Sequence, residues 1–190
     1  MRLFIAVNFL PQALDAFCRR QAALRRAGIQ GNFSRRENLH LTLAFLGEVP
    51  QQRVPEVRRC MDAAAGAPFA LEIGRPGRFR GSQGDTLWLA VHAPQALYDL
   101  QGRLAAALRR TGFVLENRPF TPHLTLARRA AVPAGFAWDA VQCAPVSCPV
   151  QALSLMRSAR VDGVLTYTEL YRRELDGDGT QKQSGAGRDR

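Results

Sequence analysis

His40-Leu41-Thr42-Leu43-Ala44 returns 83 residues later as His123-Leu124-Thr125-Leu126-Ala127. Pro11-Gln12-Ala13-Leu14 returns at the same spacing of 83 as Pro94-Gln95-Ala96-Leu97. The run Leu3-Phe4-Ile5-Ala6-Val7 resembles Leu87-Trp88-Leu89-Ala90-Val91 at a spacing of 84. A period this long is not that of a solenoid and points to a duplicated lobe. Each copy has one order of elements. A β-rich run over 2–8 or 86–92 precedes a Pro suited to a helix start. A helix follows over 12–27 or 95–111, and Gly28 or Gly112 stops it. The His-x-Thr strand comes last.

Outside these words, Val54, Val57, Met61 and Ala64 have helical spacing, and Phe69, Leu71 and Ile73 alternate as a strand. Residues 74–84, rich in Gly and Arg, read as a mobile basic loop. Residues 133–149, rich in Pro and Ala, read as irregular. Two strands over 151–157 and 164–172 join around Asp162-Gly163. The expected unit is a domain of two duplicated lobes, each mixing strands with a helix. One such domain spans 1–174. The segment 175–190, polar and Gly-rich, is expected to be a disordered tail.

The chain has 190 residues, of which 46% are hydrophobic and 22% charged, an ordinary globular composition. No run of 18 apolar residues occurs, so no membrane-spanning helix is expected. Met1 to Val7 reads as a strand and not as a signal peptide. The net charge is +10, and 25 of the 26 basic residues are Arg. The one Lys, Lys182, lies in the tail, so the body has none for a P-loop or a Schiff base. A basic body suits a polyanionic ligand, and equally suits plain solubility. Cys18, Cys60, Cys143 and Cys148 form no Cys-x-x-Cys, and no His lies near a pair. A metal site is not expected, and four scattered thiols fit a reducing cytoplasm.

Strand alternation puts His40 and Thr42 on one face and Leu41 and Leu43 on the other. His123 and Thr125 repeat the pattern opposite Leu124 and Leu126. A lone His beside a Thr is most simply structural. Two of the three histidines in equivalent places of a repeat are different, because a pseudo-twofold can bring both polar faces to one cleft. Two imidazoles can then divide general base and general acid work near neutral pH, and two hydroxyls can donate to phosphate oxygens. His92, without a counterpart His, reads as structural or exposed.

The paired words resemble those of the 2H phosphoesterase superfamily. Asn38-Leu39-His40-Leu41-Thr42-Leu43-Ala44-Phe45-Leu46-Gly47 is similar to the first motif of the bacterial RNA 2′,3′-cyclic phosphodiesterases, also called 2′-5′ RNA ligases. Residues 118–128, Arg-Pro-Phe-Thr-Pro-His-Leu-Thr-Leu-Ala-Arg, are similar to the second. The resemblance covers residues 1–173. It implies an α+β, bilobal fold of pseudo-twofold duplicated lobes, with antiparallel sheets facing a central cleft and helices outside. It implies metal-independent, cofactor-free opening of an RNA 2′,3′-cyclic phosphate end to a 2′-phosphate. A cytoplasmic monomer is expected. It implies His123 as proton acceptor, His40 as proton donor, and Thr42, Thr125 and Arg128 as substrate-binding residues. In a regular strand Arg128 has the opposite parity to His123, and Arg129 is the rival for the phosphate. Residues 33–37 lack the Trp of many relatives, and Phe33 is the aromatic available there.

Two other functions use the same residues. The site run in reverse joins a cyclic-phosphate end to a 5′-hydroxyl. A non-catalytic RNA-end binding module would use the histidines only to hold phosphate, although Arg suits that task better. Arg35, Arg36, Arg128 and Arg129 flank the two words, and Arg75, Arg78 and Arg80 sit in the Gly-rich stretch. They either line the cleft toward upstream phosphates or solvate a sheet edge.

Overall fold

The structure, a computed structural model, describes residues 1–141 and 144–176. Its strands are β1 (Arg2–Asn8), β2 (Gln30–Phe33), β3 (His40–Glu48), β4 (Phe69–Phe79), β5 (Asp85–His92), β6 (His123–Ala131), β7 (Val146–Val150), β8 (Ala152–Val161) and β9 (Val164–Glu174). Its helices are α1 (Pro11–Arg26), α2 (Val54–Ala64) and α3 (Gln95–Arg110). All strand pairings are antiparallel, and the two half-sheets join into one curled sheet in the order β7-β4-β5-β6-β3-β1-β8-β9, with β2 beside β6. The join between halves is the single register pair Leu41–Leu124, and these residues are equivalent in the repeat. The pseudo-twofold therefore passes between them.

The duplication reaches further than the sequence words. β4 begins at residue 69 and β8 at residue 152, again 83 apart. Each crosses to the other copy: β4 pairs with β5, and β8 pairs with β1. The lobes thus exchange their outer strands, which ties each copy into its partner's sheet.

The helices end as their glycines require. Gly28 and Gly112 adopt φ of 88° and 81°. Ile29 N–H reaches back to the Leu24 carbonyl and Phe113 N–H to the Leu108 carbonyl, the same left-handed cap in both copies. The apolar faces of β1, β3, β5 and β6 (Leu3, Ile5, Leu41, Leu43, Leu87, Leu89, Leu124, Leu126) pack with Phe17, Leu24, Leu97 and Leu104 of the helices into one core. That core covers one side of the sheet and leaves the other side for the site.

Three expectations are corrected. Residues 74–79 are not a loop: β4 runs through to Phe79, and Gly77 pairs with Trp88, whose ring lies across it. Residues 133–149 contain a short helical turn at Trp138–Val141 and the edge strand β7. Pro149 is tolerated there because an edge strand leaves one row of backbone groups unpaired. Leu175 belongs to the core, bonded through its N–H to the Gln151 carbonyl, so the folded part extends past 174. The remaining tail expectation, for residues 177–190, lies outside the described residues, as does Cys143.

Candidate active site

β3 and β6 bring the two His-x-Thr words together. In an antiparallel ladder the neighbours of the Leu41–Leu124 pair are His40 with Thr125 and Thr42 with His123. Both polar pairs lie on the side of the sheet away from the main core.

Each imidazole is held in the same way. His40 Nδ1 lies 2.7 Å from the Asn38 carbonyl oxygen, and His123 Nδ1 lies 2.8 Å from that of Thr121. A carbonyl can only accept, so both Nδ1 atoms carry their protons in every charge state. Neither of these bonds uses an Nε2 atom. His40 Nε2 is 3.0 Å from Thr42 Oγ1, and in the neutral ring it accepts the Thr42 hydroxyl proton.

Burial lowers the His40 pKa to about 4; the Asn38 carbonyl opposes this, and the charges of Arg128 and His123 add to the lowering. His40 is therefore neutral near pH 7 before any ligand arrives. Its ring packs at 4.8 Å on Phe4 and edge-on at 5.3 Å against Tyr167. Phe4, Ala6, Met156 and Tyr167 form a small second cluster on this side of the sheet. His123 meets Phe79 edge-on at 5.2 Å, and Phe79 packs at 5.0 Å on Trp88.

Arg128 reaches the cleft through a change of parity. The β5–β6 register passes from Trp88–Thr125 to Leu87–Ala127, so Leu126 and Ala127 together oppose one step of β5. Both are buried, and the bulge turns Arg128 to the side of His123 and Thr125. Its charge acts on His40 and also on Tyr167, whose pKa is raised chiefly by burial and lowered by Arg128 and Arg2. Arg129, in a left-handed conformation at φ 50°, is exposed and is not among the charges acting on His40.

Several other arginines are turned elsewhere. Arg36 donates to Asp15 Oδ1 at 2.7 Å and to the Pro11 carbonyl on α1. Arg35 pairs with Glu37 at 3.4 Å. Arg78 donates to Asp85 Oδ2 at 3.0 Å, on the face of β4 opposite Gly77 and Phe79. Phe33 is half-buried, with the Arg25 guanidinium 4.2 Å from its ring centre. His92 is exposed.

Sequence reasoning missed Phe4, Trp88, Tyr167 and Phe79. The first two were within reach, since Phe4 and Trp88 match in the quoted strands and share the parity that faces the His-x-Thr side. Tyr167 and Phe79 come from β9 and β4, whose pairing partners no local pattern specifies. Among the described residues, no group of three or more His, Cys, Asp or Glu could hold a metal ion. No helix of the described residues is long and apolar enough to cross a membrane.

The family described as the 2′-5′ RNA ligase superfamily matches residues 13–162. The chain is 33% identical over 142 residues to the RNA 2′,3′-cyclic phosphodiesterase of Escherichia coli, covering 72% of this chain and 75% of that one. It is 31% identical to the protein of the same name from Thermus thermophilus, covering 98% and 97%. The corresponding protein of Geobacillus stearothermophilus is 32% identical, and the chain spans about half of it, 48%. Among solved structures, Escherichia coli LigT in apo form superimposes with a TM-score of 0.75 at 29% identity, over 92% of this chain and 96% of that one. LigT has also been solved with 3′-AMP, at a TM-score of 0.76 and 30% identity, over 92% and 97%. With its own duplicated His-x-Thr strands on one curled sheet, this chain belongs to the 2′-5′ RNA ligase superfamily.

Proposed function

We propose that the protein opens RNA 2′,3′-cyclic phosphate ends to a 2′-phosphate, with His123 as general base and His40 as general acid, and without a metal. One observation carries this reading: two imidazoles, each fixed through Nδ1 to the carbonyl two residues earlier, present Nε2 across the seam of one cleft. The shared name of the relatives supports the substrate class.

His123 Nε2 takes a proton from water as the water oxygen bonds to phosphorus. The P–O3′ bond breaks in line with that attack, and His40 Nε2 gives its proton to O3′. The products are a 2′-phosphate and a free 3′-hydroxyl. Thr42 and Thr125 donate to the non-bridging oxygens, and Arg128 balances the charge that builds on them. His40 is neutral in the free protein, so it must gain a proton once substrate is bound. The phosphate anion supplies the cause: a negative charge beside a buried imidazole favours the imidazolium. Thr42, released from His40 Nε2 as that atom is protonated, is then free to donate to phosphate.

The reading extends to a monomer in the cytoplasm. Cys18, Cys60 and Cys148 are free thiols, in keeping with a reducing compartment. The test is turnover of a short RNA with a 2′,3′-cyclic phosphate end in excess EDTA. The expected product is the 2′-phosphate alone. Activity that disappears in EDTA and returns with a divalent cation would remove the metal-free mechanism.

A further inference from the structure

In-line displacement has two sides, and this site carries an aromatic surface on each. On the proposed leaving-group side, Tyr167 stands edge-on to His40 and packs on Phe4. On the proposed nucleophile side, Phe79 stands edge-on to His123, at an interplanar angle of 90°, and packs on Trp88. The donor nucleoside, which carries both O2′ and O3′, belongs on the His40 side. A water molecule attacking from the His123 side has no use for an aromatic ring.

The Phe79 side is nevertheless built as an open aromatic ledge. Phe79 is 41% exposed, although it is a large apolar residue. Trp88 lies so close over Gly77 that any Cβ there would overlap the indole ring. The indole Nε1 is buried and has no hydrogen-bond partner among the described residues. Glycine within a strand and an unpaired buried N–H both work against stability, so packing alone does not account for this arrangement. Arg80, the residue after Phe79, is exposed.

We propose that the Phe79–Trp88 ledge is a subsite for the nucleobase of an acceptor RNA whose 5′-hydroxyl replaces water as the nucleophile. The step balances without a further reactant. The 5′-oxygen bonds to phosphorus and its proton goes to His123. The P–O3′ bond breaks and His40 protonates O3′, leaving a 2′-5′ phosphodiester. This inference rests on the assignment of His123 as the base, which fixes the side from which the nucleophile comes.

The experiment reads the partition between two products from one bound donor. Wild type, Phe79→Leu and Phe79→Trp are each given an RNA with a 2′,3′-cyclic phosphate end and rising amounts of a 5′-hydroxyl dinucleotide. The ratio of 2′-5′-linked product to 2′-phosphate is measured, with a 5′-phosphorylated dinucleotide as the inert control. Stacking of one base on an aromatic side chain is worth about 5- to 150-fold in occupancy. The ratio is expected to fall by about 5-fold or more in Phe79→Leu and to hold in Phe79→Trp. An unchanged ratio with both rates reduced together would mean that Phe79 only supports His123, and overturns the subsite. Wild-type protein that hydrolyses the donor but yields no linked product overturns the subsite and leaves the hydrolase standing. Wild-type protein that does neither removes the hydrolase reading as well.

Discussion

Phe45 and Arg128 occupy the same place in the two copies, 83 residues apart and each just after a bulge in its strand. In β3 the register passes from Ala6–Thr42 to Ile5–Ala44, and in β6 from Trp88–Thr125 to Leu87–Ala127. The symmetric frame thus presents one exposed aromatic, with the Arg2 guanidinium 4.9 Å from its ring centre, and one exposed cation. The chemistry of the site is asymmetric although its backbone is duplicated.

That asymmetry separates two neighbouring arginines. Arg128→Ala should lower kcat/KM on a cyclic-phosphate substrate by about 10²-fold, the scale for losing one group that stabilises transition-state charge. Arg129→Ala should stay within about 3-fold of wild type, as expected of an exposed side chain outside the cleft. Steady-state kinetics on both variants checks this, and the reverse order would assign the phosphate contact to Arg129.

His40→Ala and His123→Ala should each lower kcat by about 10²–10⁴-fold. The double variant should lose little more than either single one, because the two groups act in one proton-transfer sequence. Additive losses would show that the imidazoles work independently.

The His40 ring should titrate near pH 4 in the free protein, followed by its NMR ring-proton shifts. A bound, unreactive 2′-nucleoside phosphate should move that titration upward. The same depression bears on stability. Between the unfolded pKa of about 6.5 and the folded value, the unfolded chain holds a proton that the native state lacks. Stability therefore falls as pH drops through this window, by no more than about 3 kcal/mol, and is unaffected by this group above it. Urea midpoints of wild type and His40→Ala across pH 4–7 should converge toward the acid end. Parallel curves would show that His40 is not responsible.

Tyr167→Ala removes one wall of the His40 pocket and should raise the His40 pKa toward its ordinary value while lowering kcat. Tyr167→Phe keeps the ring and should leave the His40 titration nearly unchanged. A positioning role requires both results; a loss of activity in Tyr167→Phe with an unmoved titration would instead point to the hydroxyl.

Gly77→Ala should force the Trp88 ring from its seat, because the new methyl would overlap it. Overpacking of this kind costs about 1–3 kcal/mol. Tryptophan emission should shift to longer wavelength as the ring is expelled, with a matching fall in the urea midpoint. An unchanged spectrum would show that β4 moves instead.

The sequence alone determined the duplication, the helix stops at Gly28 and Gly112, the two His-x-Thr strands and the face each residue takes up to Thr42 and Thr125. These are local properties, set by a period of two along a strand and by the conformations that glycine and proline allow. Tertiary structure decided which residues join them. A bulge exists only relative to the strand it pairs with, so the parity of Arg128 could not be read from residues 123–128. Phe79 and Tyr167 reach the imidazoles because β4 and β9 complete half-sheets assembled from both copies, and strand pairing over such distances in the chain is set by the packing of the whole sheet. The low pKa of His40 has the same origin: it follows from the depth at which Phe4 and Tyr167 enclose the ring, a property of the assembled cleft.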